Sequence, residues 1–218
     1  MSQDDTSSVK IDPDYPAYAQ SLAVRSGIYA FLAHGFLQPD RNTVEFFHRC
    51  NEIQLNKDER MSSCLAEVVA SAHSAGLDKL QQAYMQVFDP VHGPFPYEVE
   101  HKKGHEFAKA QIMADIMGFY RAFGVEPRAD RPDHISAELE FMHLLTLKEA
   151  HALNTGQPDK AELCRKAQQK FLREHLLTWN VELLKIIRAK LRADSTIFYP
   201  QLLNVFELFI EIEKENLT

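Results

Sequence analysis

No two cysteines in this 218-residue chain are spaced to work together. There are three, Cys50, Cys64 and Cys164, odd in number and without a C-x-x-C motif. That pattern argues against a disulfide framework and a thiolate-built zinc site, and the cysteines read as reduced thiols packed on helices. Glycine is scarce at 8 residues, and no P-loop, dinucleotide fingerprint or G-x-S-x-G elbow is present. Basic charge is not in excess: Asp+Glu number 31 against Lys+Arg 24, a formal net charge of -7. A nucleic-acid surface needs a concentrated basic face, so no nucleic-acid partner is expected. A basic peptide would be attracted. No stretch approaches the ~20 apolar residues of a membrane span. Residues 1–14 lack the basic-then-apolar profile of a secretory signal. The expected location is the cytoplasm, with 1–14 as a flexible tail and 15–218 as one helical domain.

What is present is helical period. Apolar residues make up 45% and charged residues 25%, enough for a sizeable core in a chain of this length. Leu22, Ser26, Tyr29, Leu32 and Phe36 step along a first helix that ends before Pro39. A short second helix holds Val44, Phe47 and Cys50. The third spans about 60–75 and stops at Gly76; a fourth carries Leu80, Tyr84, Val87 and Phe88. A fifth covers about 105–123 before Gly124. The sixth, expected to be the longest, covers about 133–155 with Asp133 or a neighbour as its N-cap. Further helices fall near 159–175, 177–191 and 197–216. The fold class is all-α, a single-domain bundle of about eight to nine helices.

Between the fourth and fifth helices, residues 89–97 contain three prolines and a glycine, so no helix passes through. The stretch is too apolar and aromatic for a linker and reads as an ordered loop packed on the body. At the start of the sixth helix, Asp133 suits a capping role, and His134 and Glu138 stand one turn apart, close enough to pair. Ile135, Leu139 and Met142 form its buried stripe. Local physics favours cap plus core here over acid–base chemistry, which needs a pocket. Three Glu-x-x-His pairs, Glu45/His48, Glu98/His101 and Glu140/His143, raise the alternative of a di-iron helical enzyme. Chance alone yields about one such pair in a chain of this composition, and no bridging glutamates stand out.

The loop and the helix start occur in order with other segments: Tyr84-x-x-x-Phe88, Gly93-Pro94-Phe95-Pro96-Tyr97-Glu98, residues 118–124, and Arg131-Pro132-Asp133-His134-x-x-x-Glu138-Leu139-Glu140-Phe141-Met142. Phe171-Leu172-x-x-His175-Leu176-x-x-Trp179 and Phe198-Tyr199 follow. Together they resemble the TorD/DmsD/NarJ family of molybdoenzyme assembly chaperones. The wording is closest to the subgroup serving dimethyl-sulfide, ethylbenzene or selenate reductase-type enzymes. The resemblance implies a TorD-like bundle, monomeric or as a domain-swapped dimer, and no catalysis. It implies binding of the N-terminal, twin-arginine signal region of a molybdopterin-containing catalytic subunit in the cytoplasm. The molybdopterin cofactor would reside on that client, with none on this chain. Asp133 and His134 match family positions implicated in client recognition, and Tyr97 and Glu98 match the loop motif. Phe95 here separates Pro94 from Pro96, where the commonest family pattern has adjacent prolines. Nucleotide binding is not predicted, because no phosphate-cradling motif is present.

The expected site combines charge with apolar surface. Glu98, Asp133 and Glu140 would meet client arginines, with Glu138 and His134 beside them. Phe95, Tyr97 and the flank of the sixth helix would take the apolar stretch. Arginine–carboxylate forks are strong and the groove adds desolvation energy. All of this requires the loop and the start of the sixth helix to lie side by side.

Overall fold

The first helix, α1 (Tyr15–Phe36), buries Leu22, Tyr29, Leu32 and Phe36 along one face, as its period predicts. This computed structural model describes residues 15–50, 58–89, 91–102, 106–126, 131–191, 198–215 and 217. The predicted tail 1–14 and the predicted helix ends His105, Ile197 and Asn216 lie outside the described residues. Asp40 then accepts from the backbone N–H of Thr43 at 2.8 Å and starts α2 (Arg41–Cys50). Asp58 caps α3 (Glu59–Val87) through the N–H groups of Arg60 and Met61. Gly76, at φ 68°, breaks the helical geometry inside that run, so the two predicted helices abut with no linker.

A single-turn helix, α4 (Glu98–His101), follows the proline loop, and α5 (Glu106–Ala122) ends at Gly124. Next come α6 (Ile135–Asn154) and α7 (Pro158–Phe171), separated by Gly156. With 20 residues α6 is shorter than the 22 of α1 and the 29 of the α3 run, so it is not the longest helix. A π turn (Leu172–Leu176) joins α7 directly to α8 (Leu177–Lys190), and α9 (Phe198–Glu215) closes the chain. The expected break near His175 is therefore a widened turn. Its cause is visible in the buried pairs 171/172, 175/176, 179/180 and 183/184, which recur every four residues where an α-helix drifts past its own face.

The architecture is all-α, one domain, with no strand among the described residues. α1 packs along α6, α6 along α7, and α3 along α9. Gly35 sits where α1 meets α9 so closely that a Cβ would lie 2.5 Å from Leu202 Cδ1. One aromatic cluster, with Phe31, Phe36, Phe47, Phe88 and Phe206, fills the α1–α2–α3–α9 side. Another, with Phe119, Tyr120, Phe141 and Phe171, fills the α5–α6–α7 side. No helix among the described residues is long and apolar enough to cross a membrane.

Candidate functional site

Asp89 organises the proline loop: its Oδ1 accepts from the N–H groups of Val91 and His92, and its carbonyl from Gly93 N–H at 2.9 Å. Pro94 and Pro96 are buried while Phe95 stands out, 38% exposed. The loop then pairs with the start of α6 through backbone bonds. Ile135 N–H donates to Pro96 O and Glu98 N–H donates to Asp133 O, both at 2.9 Å, and Tyr97 bridges antiparallel to His134. The two segments thus lie side by side and are stitched together.

That stitching settles the capping question. His134 is the N-cap of α6, its Nδ1 accepting from Ser136 N–H at 3.1 Å. Asp133 instead serves the neighbouring α4, accepting from Val99 N–H at 3.2 Å, and is itself fully buried. Both of its oxygens also accept from Arg131, from Nε at 3.1 Å and Nη2 at 2.9 Å. Tyr120 donates to Pro132 O at 2.8 Å and ties this turn to α5. Burial pushes the His134 imidazole down to about 4; the Asp133 charge opposes this and Arg131 adds to it. His134 is neutral at physiological pH.

Glu98 and Glu138 lie below this surface, both buried. Glu98 meets His175 Nδ1 at 3.0 Å and Lys102 Nζ at 3.4 Å, and His175 reaches Asp115 through Nε2 at 3.1 Å. The π turn places His175 in this position. Glu138 does not pair with His134 as its spacing allowed. It accepts from Trp179 Nε1 at 3.1 Å, and its Oε1 has no hydrogen-bond partner among the described residues. Burial, then the neighbouring Glu98 charge, pushes the Glu138 carboxyl well above its ordinary range, which favours its neutral form. Of the predicted carboxylates, only Glu140 is exposed.

Next to this constellation is a cleft of about 690 Å³. Its walls come from the end of α1 (His34, Leu37), from Tyr84 and Tyr120, and from the α6 face bearing His134, Ala137, Glu140, Phe141 and Leu144. His134 joins cleft and constellation, since it lines the first and its ring stands edge-on to Tyr97 at 5.1 Å. Sequence reasoning missed His34, Leu37, Tyr120 and Leu144. The available signal was the second face of α6, where Ala137, Glu140 and Leu144 recur at helical spacing beside the buried stripe.

The three Glu-x-x-His pairs do not meet. His48 packs against His73, His101 stacks on Trp179, and His143 bonds with Ser26. Among the described residues, no three His, Cys, Asp or Glu side chains gather as a metal site.

A second polar constellation ties α1, α6, α7 and α9. Arg25 forks onto Glu213 at 2.6 and 2.5 Å and reaches Gln168 with its remaining nitrogen. Tyr29 donates to Glu213, Gln168 to Glu149, and Tyr18 to Glu149.

The family model of the nitrate reductase delta subunit matches residues 55–185, a span that holds the loop, the α6 start, Glu138 and His175. The chain belongs to the nitrate reductase delta subunit family. This is the TorD/NarJ family that the loop and helix-start segments resemble. Among curated relatives, the chain is 28% identical to the perchlorate reductase assembly chaperone protein of Dechloromonas aromatica, over 91% of each chain. It is 31% identical to the chlorate reductase assembly chaperone protein of Ideonella dechloratans, over 56% of this chain and 63% of that one. It is 28% identical to the selenate reductase assembly chaperone protein of Thauera selenatis, over 51% and 59%. Membership of the nitrate reductase delta subunit family places the chain with assembly chaperones and not with enzymes.

Proposed function

We propose that this chain is a cytoplasmic assembly chaperone. It holds the N-terminal, twin-arginine signal region of a molybdopterin-containing reductase subunit while the cofactor is inserted, before export or assembly. Three relatives named as assembly chaperones for perchlorate, chlorate and selenate reductases support the client class. The observation that carries the binding mode is the cleft beside the Tyr97–His134 bridge. Its walls are largely apolar, its rim carries Glu126 and Glu140, and one chain builds it entirely. An extended or helical apolar segment seats along α6, each well-buried large side chain contributing about 1.5–3 kcal/mol. Phe95 and Tyr97 extend the surface and Glu140 supplies exposed negative charge. Asp133 fixes α4 against the start of α6, and Glu98 and Glu138 tie this surface from beneath to His175 and Trp179. No cofactor is assigned to this chain; the molybdopterin belongs to the client.

The test is a titration, by fluorescence anisotropy, of a labelled synthetic peptide with two adjacent arginines followed by an apolar run. The wild-type chain is compared with Ala137→Trp, which fills the cleft from a half-buried helix position. Saturable binding to the wild type and at least about tenfold weaker binding to the variant are expected. No binding to the folded wild type, or equal affinity for both, overturns the reading.

A further inference from the structure

An arginine already sits in this surface, and it belongs to the chain. Arg131 lies over the Tyr97 ring, 4.0 Å from guanidinium carbon to ring centroid. Its Nε and Nη2 fork onto the two oxygens of Asp133, and Nη1 reaches Glu100 Oε1 at 3.1 Å. A ring face, a bidentate carboxylate and a second acid are the three groups that recognise a guanidinium by shape as well as charge. The bound side chain remains 35% exposed while Asp133 beneath it is fully buried.

We propose that Tyr97, Asp133 and Glu100 form an arginine subsite, filled in the free chain by Arg131 and taken over by an arginine of the bound peptide. The inference rests on the peptide-binding reading and adds to it an internal competitor. Geometry favours exchange over a permanent brace. Arg131 and Asp133 are two residues apart, so their fork ties no distant elements together. Asp133 keeps its bonds to the α4 backbone when Arg131 leaves. Glu100 keeps a cation too, Lys109 Nζ at 3.6 Å. The subsite also adjoins the cleft through His134, so a peptide apolar along α6 and basic at one end would reach both. A site blocked by its own side chain binds more weakly by the fraction of time it stands open. An occupant present for about nine-tenths of the time costs about tenfold in affinity.

The experiment uses the full chain and two probes, N-acetyl-arginine amide and the twin-arginine peptide. Each is titrated against the wild type, Arg131→Ala and Arg131→Gln, with folding of every variant checked by circular dichroism. The glutamine variant is the fallback if the alanine variant does not fold. Expected are saturable uptake of N-acetyl-arginine amide by the variant with little by the wild type, and no uptake of N-acetyl-lysine amide. The peptide should bind the variant about tenfold more tightly, a gain that disappears when its arginines are changed to glutamine. A wild type that binds the peptide beside a folded variant with no arginine-selective gain overturns the subsite and leaves the cleft reading standing. Arginine-amide uptake by the variant with no peptide binding by either protein supports the subsite and removes the cleft reading.

Discussion

Arg25 and Arg131 each fork onto a buried carboxylate beside a tyrosine ring, Arg25 on Glu213 by Tyr29 and Arg131 on Asp133 by Tyr97. The chemistry is the same and the setting differs. Arg25 and Glu213 are 188 positions apart, and their network, with Tyr29, Gln168, Glu149 and Tyr18, spans four helices. Arg131 and Asp133 are neighbours in sequence, and the remaining nitrogen of Arg131 reaches a half-exposed acid. An ion pair becomes architecture when it closes a long loop and leaves no polar group unsatisfied. It stays exchangeable when it is local and faces water.

Removing the arginines should separate the two cases by stability. Arg25→Ala strands Glu213 in the core and should cost about 3–5 kcal/mol. Arg131→Ala removes a partner that is one-third exposed and leaves Asp133 its bond from Val99 N–H, and should cost less, about 1–2 kcal/mol. Urea denaturation at neutral pH with both variants reads the difference directly. Equal losses would erase the distinction and make Arg131 a brace.

The carboxylates offer a second contrast of smaller size. Glu213 is held by charge, whereas burial favours the neutral form of Glu138, and the Trp179 Nε1–H that donates to it can donate equally to an amide oxygen. Glu138→Gln should therefore stay within about 1 kcal/mol of the wild type at pH 7, while Glu213→Gln loses its ion pair and falls further. The sign with pH is fixed. Because the folded-state pKa of Glu138 lies above the unfolded value near 4.3, the folded chain binds more protons in that window. The stability this proton contributes is full below about 4.3 and declines as pH rises toward the folded value. Glu138→Gln removes that decline, which thermal melts across the pH series would register as a flatter profile.

Much of this was legible in the residues. The stops at Pro39, Gly124 and Gly156 and the stripe Ile135, Leu139, Met142 are local signals, and the helices follow them. The order of motifs reached the family. What local pattern cannot encode is which acid ends up in water. Asp133 and His134 are adjacent, and only the pairing of residues 96–98 with 133–135 makes one a remote cap for α4 and the other the cap of α6. Glu98 and Glu138 looked available because their burial depends on α8 and the π turn, which bring Trp179 and His175 onto them. The π turn had only a partial signal, because two of the four buried pairs from Phe171 to Leu184 carry a polar residue, His175 and Asn180.

The smallest expected effect bears most directly on the open subsite. His134 sits at about 4, below its ordinary value near 6.5, because burial disfavours its charge, with Asp133 pulling the other way and Arg131 reinforcing the burial. Between those two values the unfolded chain binds the extra proton, so this group contributes stability that is present above about 6.5 and lost as pH falls toward 4. That slope is opposite to the one from Glu138, and the two partly cancel in the wild type. The imidazole resonances in a proton NMR titration isolate His134 from the sum. In Arg131→Gln the nearby cation is gone and the Asp133 carboxylate remains, so the His134 midpoint should move up toward the ordinary histidine range. Adding N-acetyl-arginine amide to that variant should push it back down, because a guanidinium again occupies the Tyr97 face. A midpoint that ignores both changes would mean that His134 does not sense what lies on Asp133, and would leave the cleft and the arginine cradle as separate sites.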